Sequence, residues 1–333
     1  MTAARNQTNG TLSAGVVGVG SMGRHHARVY NELPDVTLRG VTDVDYHQRQ
    51  TVADAYGVAA MEFDELLDAV DLVSIAVPTA FHFEVATQCF DAGVDVLIEK
   101  PLTDDPATGR ELIDLAEAQG RTIQVGHIER FNPAVTVLDD IVPDLDVVAV
   151  TAERLGPPPD REIRDSAVID LMVHDIDVVL SLIDSELSGV TAAGVDGNRY
   201  ATATMQFENG VVGTLTASRL TQQKVRRLTI TAREALVEVD YIDQSVEIHR
   251  HSYPEYVEQN GGVNYRHESI VERPAVDRSE PLKNELRSFV GAVRSGNEPV
   301  VTAADGLQVL EVAQEIERLA ADGKTGAMKV LRP

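Results

Sequence analysis

The sequence predicts an α/β chain in two parts. Residues 1–128 read as a doubly wound parallel sheet, and residues 129–333 as an α+β domain with a largely antiparallel, open sheet. Three observations carry this. Short apolar runs alternate with helical-period segments through the first part, as parallel strands with crossover helices do. Those runs are continuously apolar, as strands covered on both faces are. Beyond residue 130, polar and apolar residues alternate within several runs, as in a sheet with one covered face.

Taken in order, "AGVVGVG" is a strand ending in glycines, "MGRHHARVYNEL" a helix, and "VTLRGVTD" a strand ending on an acid. "YHQRQTVADAYG" has helical spacing, and "DLVSIAVP" is a strand closed by Pro78. "HFEVATQCFDAG" is a helix stopped at Gly93, "VDVLIEKP" a strand, "ATGRELIDLAEAQG" a helix stopped at Gly120, and "TIQVGHI" a strand. In the second part "FNPAVTVLDDIV" reads as a helix, "GPPPDREIRD" as a loop, and "AVIDLMVHDIDVVLSLI" as a buried helix. Strand-like runs follow, from "SGVTAAGVD" to "SVEIHRH", with "ENG" as a hairpin turn between two of them. Two helices, Leu282 to Arg294 and Ala303 to Ala321, close the chain.

Composition excludes several functions. The 333 residues are 43% hydrophobic and 25% charged, as in a soluble globular protein, and hold no apolar run long enough to span a membrane. The start, "MTAARNQTNGTLSA", lacks a charged, then apolar, secretory pattern. A net charge of −24 argues against nucleic acid as partner. Five lysines stand against 24 arginines among the 29 basic residues. This acid-rich, lysine-poor surface suits molar salt, where screening acts within ~3 Å, and points to the cytoplasm of a high-salt organism. The one cysteine, Cys89, permits no internal disulfide or cysteine cluster and reads as a packing residue.

Four constellations carry chemistry. Gly18, Gly20 and Gly23, with Ser21 and Met22 between them, form G-x-G-x-x-G between a strand and a helix. This is the phosphate-binding turn of a Rossmann dinucleotide site, and Asp43, 20 residues beyond Gly23, ends the next strand where the adenosine ribose hydroxyls would lie. An acid there favours NAD over NADP. "VPTAFH" places Pro78, Thr79 and His82 after a third strand, on the cofactor edge; His82 alternatively caps or packs a helix. Glu99 and Lys100, before Pro101, end a fourth strand on the same edge, and a desolvated lysine there could hold or deprotonate a substrate hydroxyl. Asp170, His174 and Asp177 fall at i, i+4 and i+7 of a buried helix, where His174 suits general-base work and Asp170 could orient its ring. A salt-bridged helix end is the structural alternative; no further ligand motif supports a metal.

In this order the four pieces resemble the glucose–fructose oxidoreductase and inositol dehydrogenase (Gfo/Idh/MocA) family, from "AGVVGVGSMGRHHA" through "EKPL" and "DLMVHDIDV" to "NELRSFVGAVRSGNEPVVTAADGLQVLEVAQEIE". The resemblance implies an NAD-dependent oxidoreductase acting on a secondary hydroxyl of a sugar, cyclitol or nucleotide sugar. Lys100, Asp170 and His174 would be its proton-transfer group, and the C-terminal sheet would form a homodimer or homotetramer contact. Some members cleave glycosides through transient NAD oxidation, and a non-catalytic sensor would be expected to lose these residues. "VGHIERFNPAV" resembles a stretch of members acting on nucleotide sugars, UDP-N-acetylglucosamine 3-dehydrogenases among them. That would bring Arg130 and Asn132 near the sugar or its phosphates, with Arg154 or Arg219 as further cations; Glu129 and Arg130 could equally form a hinge ion pair.

Overall fold

The computed structural model describes residues 11–158, 165–251, 255–259, 262–266, 269–321 and 328–329. Most of the expected N-terminal lead-in and much of the proline loop lie outside them. The chain divides into two units, residues up to Ile128 with Glu280–Leu310, and Glu129–Ser279 with the residues from Glu311.

In the first unit β1 (Leu12–Val17), α1 (Gly23–Glu32), β2 (Val36–Thr42), α2 (Tyr46–Tyr56) and β3 (Ala59–Ala60) are followed by α3 (Phe63–Ala69) and β4 (Leu72–Ile75). Then come α4 (His82–Asp91), β5 (Asp95–Glu99), α5 (Pro106–Gln119) and β6 (Ile123–Gly126). The strands form one parallel sheet in the order β3-β2-β1-β4-β5-β6. Its order reverses between β1 and β4, where such folds bind ligands beyond the carboxyl ends of their strands. The expected strands and helices are present; β3 and α3, too short to show a period, are additions. α3 starts on a capping box between Glu62 and Glu65. Cys89 is wholly buried and its thiol pKa is pushed up to about 12 by desolvation, as a packing residue requires.

After a 3₁₀ turn at Ile128–Phe131 the second unit continues with α6 (Pro133–Thr136) and two more 3₁₀ turns at Val137–Asp140 and Val142–Asp144, where the sequence predicts one helix. Val135, Thr136 and Val137 are β-branched in succession, and Pro143 removes a donor. β7 (Val147–Leu155) follows, then a π-helical turn at Val168–Met172 that runs into α7 (Val173–Leu182). Next are β8 (Leu187–Val195), β9 (Tyr200–Phe207), β10 (Val212–Ser218), β11 (Val225–Ala232), β12 (Leu236–Asp240) and β13 (Ser245–His251). Among the described residues β14 (Glu255–Gln259) pairs with β15 (Gly262–Arg266) alone, and β16 (Ser269–Glu272) returns to the main sheet. With β17 (Met328–Lys329) that sheet has nine strands, ordered β16-β13-β12-β11-β7-β10-β9-β8-β17. It is antiparallel except at β7–β10, and the expected hairpin turn joins β9 to β10 with Gly210 at φ 88°.

One face of this sheet is buried. The other carries a row of threonines in register across five strands: Thr191, Thr204, Thr214, Thr151 and Thr229. α7 packs against β7 and β10.

α8 (Pro281–Ser295) corrects the expected boundary. The second domain is not continuous from 129 to 333, because α8 belongs to the first unit. Its Leu282, Leu286, Phe289 and Val290 are buried in one cluster with Val16, Val29, Tyr30 and Leu97. That follows from its strongly one-sided apolar stripe, which needs a core to cover it. α9 (Ala303–Ala321) carries the boundary between the units. Leu286→Ala is expected to cost about 2–5 kcal/mol, read as a lower denaturant midpoint in molar salt.

Candidate active site

The three glycines of the first loop are needed for three different reasons. Gly18 has φ 83°, and a Cβ there would lie 2.8–2.9 Å from Val77 and the Ala76 backbone. A Cβ on Gly23 would stand 1.8 Å from the Gly18 carbonyl oxygen. Gly20 has nothing within 4 Å of where its Cβ would be, so bare backbone is left open for a ligand. No side chain caps the start of α1, and its first turn holds no acid. An uncapped helix start beyond an open glycine suits an anionic diphosphate.

Asp43 follows β2 and turns back on this loop. Its Oδ2 accepts from the Val19 N–H at 2.8 Å and the Gln48 side-chain amide at 3.1 Å, and its Oδ1 accepts from the Asp45 N–H at 2.8 Å. These bonds fix the carboxylate, and its two oxygens keep capacity for a ribose hydroxyl. Pro78 and Thr79 form the turn after β4. These residues, with Ser21 and Met22, would hold a nicotinamide dinucleotide.

His82 is placed differently from its expected cofactor role. It is 1% exposed, and both ring nitrogens face backbone carbonyls: Nε2 lies 3.0 Å from Val77 O, and Nδ1 lies 3.0 Å from Pro101 O and 3.3 Å from Leu102 O. The ring clamps the turn after β4 to the turn after β5. Burial holds its pKa below the ordinary value, against the opposing effects of those carbonyls and Glu99.

Glu99 ends β5, and its Oε1 pairs with Nε2 of His26 on α1 at 2.8 Å. Sequence reasoning missed His26, whose only signal was its place three residues beyond Gly23. Lys100 follows directly, half-buried.

In the second unit Asp170 lies in the π-helical turn and His174 in the first turn of α7. The regular i, i+4 stripe is therefore interrupted at Asp170; such wide turns recur at functional sites. Asp170 forms an ion pair with Arg219, whose guanidinium also donates to the Asp165 carbonyl. Arg219 is thus spent inside the unit rather than left for a diphosphate.

Arg154 is likewise removed from that role. It is 4% exposed, and it donates to Asp175 through Nε and Nη2, at 2.9 Å each, and to Glu129 at 2.8 Å. Burial works against its charge, but Asp175 and Glu129 outweigh it, so its pKa rises. The Tyr241 ring stacks on it at 5.3 Å. Arg130 reaches Asp177 at 3.4 Å, while Glu129 accepts from Arg154. Asn132 is corrected too. It is 3% exposed, its side-chain oxygen caps α6, and its amide donates to Tyr241 O at 3.0 Å and Glu129 at 3.1 Å. These contacts engage its side chain within the fold. Sequence patterning could not single out Asp175, which sits one position off the Asp170–His174–Asp177 stripe.

A parallel sheet with this glycine loop, acid and lysine on one edge defines a dinucleotide-dependent oxidoreductase. Comparison with known proteins is specific. Residues 12–127 match the oxidoreductase family with an NAD-binding Rossmann fold, and residues 146–238 match the GFO/IDH/MocA C-terminal domain. A UDP-N-acetylglucosamine 3-dehydrogenase of Acidithiobacillus ferrooxidans is 33% identical over 92% of this chain and 96% of its own. Its solved structure superposes with a TM-score of 0.85 at 30% identity, covering 94% of this chain and 98% of that one. An inositol 2-dehydrogenase of Rhizobium meliloti is 25% identical over 94% and 98% of the two chains. The scyllo-inositol dehydrogenase structure of Lactobacillus casei shares the fold at a TM-score of 0.78 and 20% identity, over 97% of this chain and 99% of that one. The chain belongs to the GFO/IDH/MocA family of oxidoreductases, dehydrogenases that act on CH–OH groups. Among the described residues no helix is long and apolar enough to cross a membrane.

Two outcomes are expected here. Arg154→Met leaves Asp175 as an uncompensated buried charge and should cost about 3–5 kcal/mol in equilibrium unfolding. His82 has a folded pKa below its unfolded value of 6.5, so the unfolded chain binds the proton more readily. Its contribution to stability is present above that value and is lost as pH falls through the folded pKa. The melting temperature should drop as pH falls below about 6.5, and His82→Gln should flatten the drop.

Proposed function

We propose that this enzyme oxidises a secondary hydroxyl of a nucleotide sugar, with C3 of UDP-N-acetylglucosamine as the preferred assignment and NAD as the cofactor. The observation that carries the chemistry is Lys100, held at the carboxyl end of β5 on the edge that carries Gly18–Gly23 and Asp43. The substrate assignment rests on 33% identity over nearly the whole chain to the Acidithiobacillus dehydrogenase. It does not rest on Arg154, Arg219 or Asn132, which are engaged within the fold.

When bound, the nicotinamide supplies the hydride acceptor. Lys100 holds the substrate hydroxyl oxygen with its ammonium donors. His174 takes the hydroxyl proton, a role a neutral imidazole fills near pH 7, and Asp170 in the turn before it orients the group. The Asp43 carboxylate favours ribose hydroxyls and disfavours a 2′-phosphate. The chain works in the cytoplasm at high salt. It assembles as a homodimer or homotetramer through the threonine face of the nine-stranded sheet, whose small side chains permit close approach of a second copy.

Lys100→Met is expected to lower turnover 10²–10⁴-fold; turnover within about threefold of the parent would remove Lys100 from the chemistry. NADH formation in molar KCl is to be followed with UDP-sugars, free hexoses and inositols. Activity with UDP-N-acetylglucosamine supports the assignment, whereas activity only with inositols or free sugars replaces it with the inositol-dehydrogenase reading. Turnover of a glycoside without net NADH would indicate transient oxidation. Asp43→Ala should lower kcat/KM for NAD relative to NADP by about tenfold or more, a loss of one charge-assisted bond.

A further inference from the structure

Glu99 is a carboxylate buried at some cost. Its side chain is 13% exposed, and two neighbouring elements are shaped around it. From α1, His26 is fully buried and places Nε2 2.8 Å from Oε1. Nδ1 of His26 is buried without a hydrogen-bond partner among the described residues. With Nδ1 facing no acceptor, the proton that bridges the pair sits on Nε2 and is donated to Glu99. From β6, Gly126 stands opposite Glu99 in the strand register. A Cβ on Gly126 would lie 3.1 Å from Glu99 Cα and 3.3 Å from Oε2. The missing side chain is the room in which the carboxylate lies.

The next residues are held from another direction. His82 bonds to the carbonyls of Pro101 and Leu102 through one nitrogen and faces Val77 O with the other. Lys100 therefore sits between two neighbours, each anchored by a different buried histidine. A core strand end has no need of a polar group, since an apolar residue would bury there at lower cost. What the pair His26–Glu99 adds is direction. It ties the end of β5 to the helix that begins at the glycine loop.

We infer that His26 and Gly126 are positioning residues that fix the Glu99 carboxylate, and through it aim Lys100 relative to the dinucleotide loop. This rests on the role given to Lys100 above, and the test separates the two.

His26→Leu, His26→Gln and Gly126→Ala are compared with the parent and with Lys100→Met. kcat and KM for NAD are measured for each, together with ¹³C NMR of reductively methylated protein. The chain has five lysines, and the Lys100 signal is the one absent from Lys100→Met. His26→Leu should lower kcat roughly 10- to 100-fold, the scale of an ångström-sized misplacement, with KM for NAD within about threefold and the Lys100 resonance shifted. His26→Gln, which keeps a donor near the Nε2 position, should recover kcat to within about threefold and restore the resonance. An equal loss in both variants, or an unmoved Lys100 resonance in His26→Leu, overturns the inference. Gly126→Ala presses on the same carboxylate with His26 intact and covers the case in which His26→Leu does not fold. It should lower kcat likewise, and an unchanged kcat overturns the inference. If Lys100→Met keeps its turnover, the catalytic role of Lys100 fails, while the response of its resonance to His26→Leu still decides whether the brace exists.

Discussion

Parallel pairing in the first sheet is the constraint on which the candidate site depends. When β1, β2, β4 and β5 run the same way, their carboxyl ends share one edge. Residues far apart in sequence then gather without any interaction among themselves to recruit them: the glycine loop after β1, Asp43 after β2, Pro78 and Thr79 after β4, Lys100 after β5. The hydrogen bonds on that edge refine a placement the topology has already made. Asp43 receives the loop's Val19 N–H, Gly18 donates to Thr42 O at 2.9 Å, and His82 clamps two of the turns together.

Buried charge does a comparable job in the second unit by different means. Arg154 on β7 joins Asp175 on α7 to Glu129 in the segment before α6, and Asn132 closes the network by bonding Glu129 and the Tyr241 carbonyl. An apolar contact of the same area would hold these elements at lower cost, but it would tolerate sliding. A bidentate guanidinium does not, because its two donors must meet two oxygens at once. The helix turn that carries His174 is thereby set against β7. Arg219 holds the π-helical turn by pairing with Asp170 and donating to the Asp165 carbonyl.

Much of this was legible in the chain. The glycine spacing, the acid after β2 and the lysine at the end of "VDVLIEK" are local patterns, and each landed on the expected edge because strand direction follows from the alternation of apolar runs and helices. His26 was not legible, because its partner Glu99 is 73 residues away and a histidine on a helix has no period of its own. Arg154 and Asn132 misled for a related reason: a basic or amide side chain reads the same whether it faces a ligand or a buried carboxylate 21 residues on or three residues back.

By itself, then, the sequence determined the fold class, the dinucleotide loop and the edge on which Lys100 lies. These depend on spacing along the chain and on side-chain chemistry, and both are local. Only the tertiary structure decided which charged groups are spent on the protein. It turned Arg154, Arg219, Asn132 and His82 inward, returned α8 to the first unit, and placed His26 and Gly126 on either side of Glu99. Whether a polar atom is satisfied internally is a matter of which elements pack together. Each of these pairings except the one within residues 129–132 crosses from one element to another, and sequence spacing does not specify such contacts.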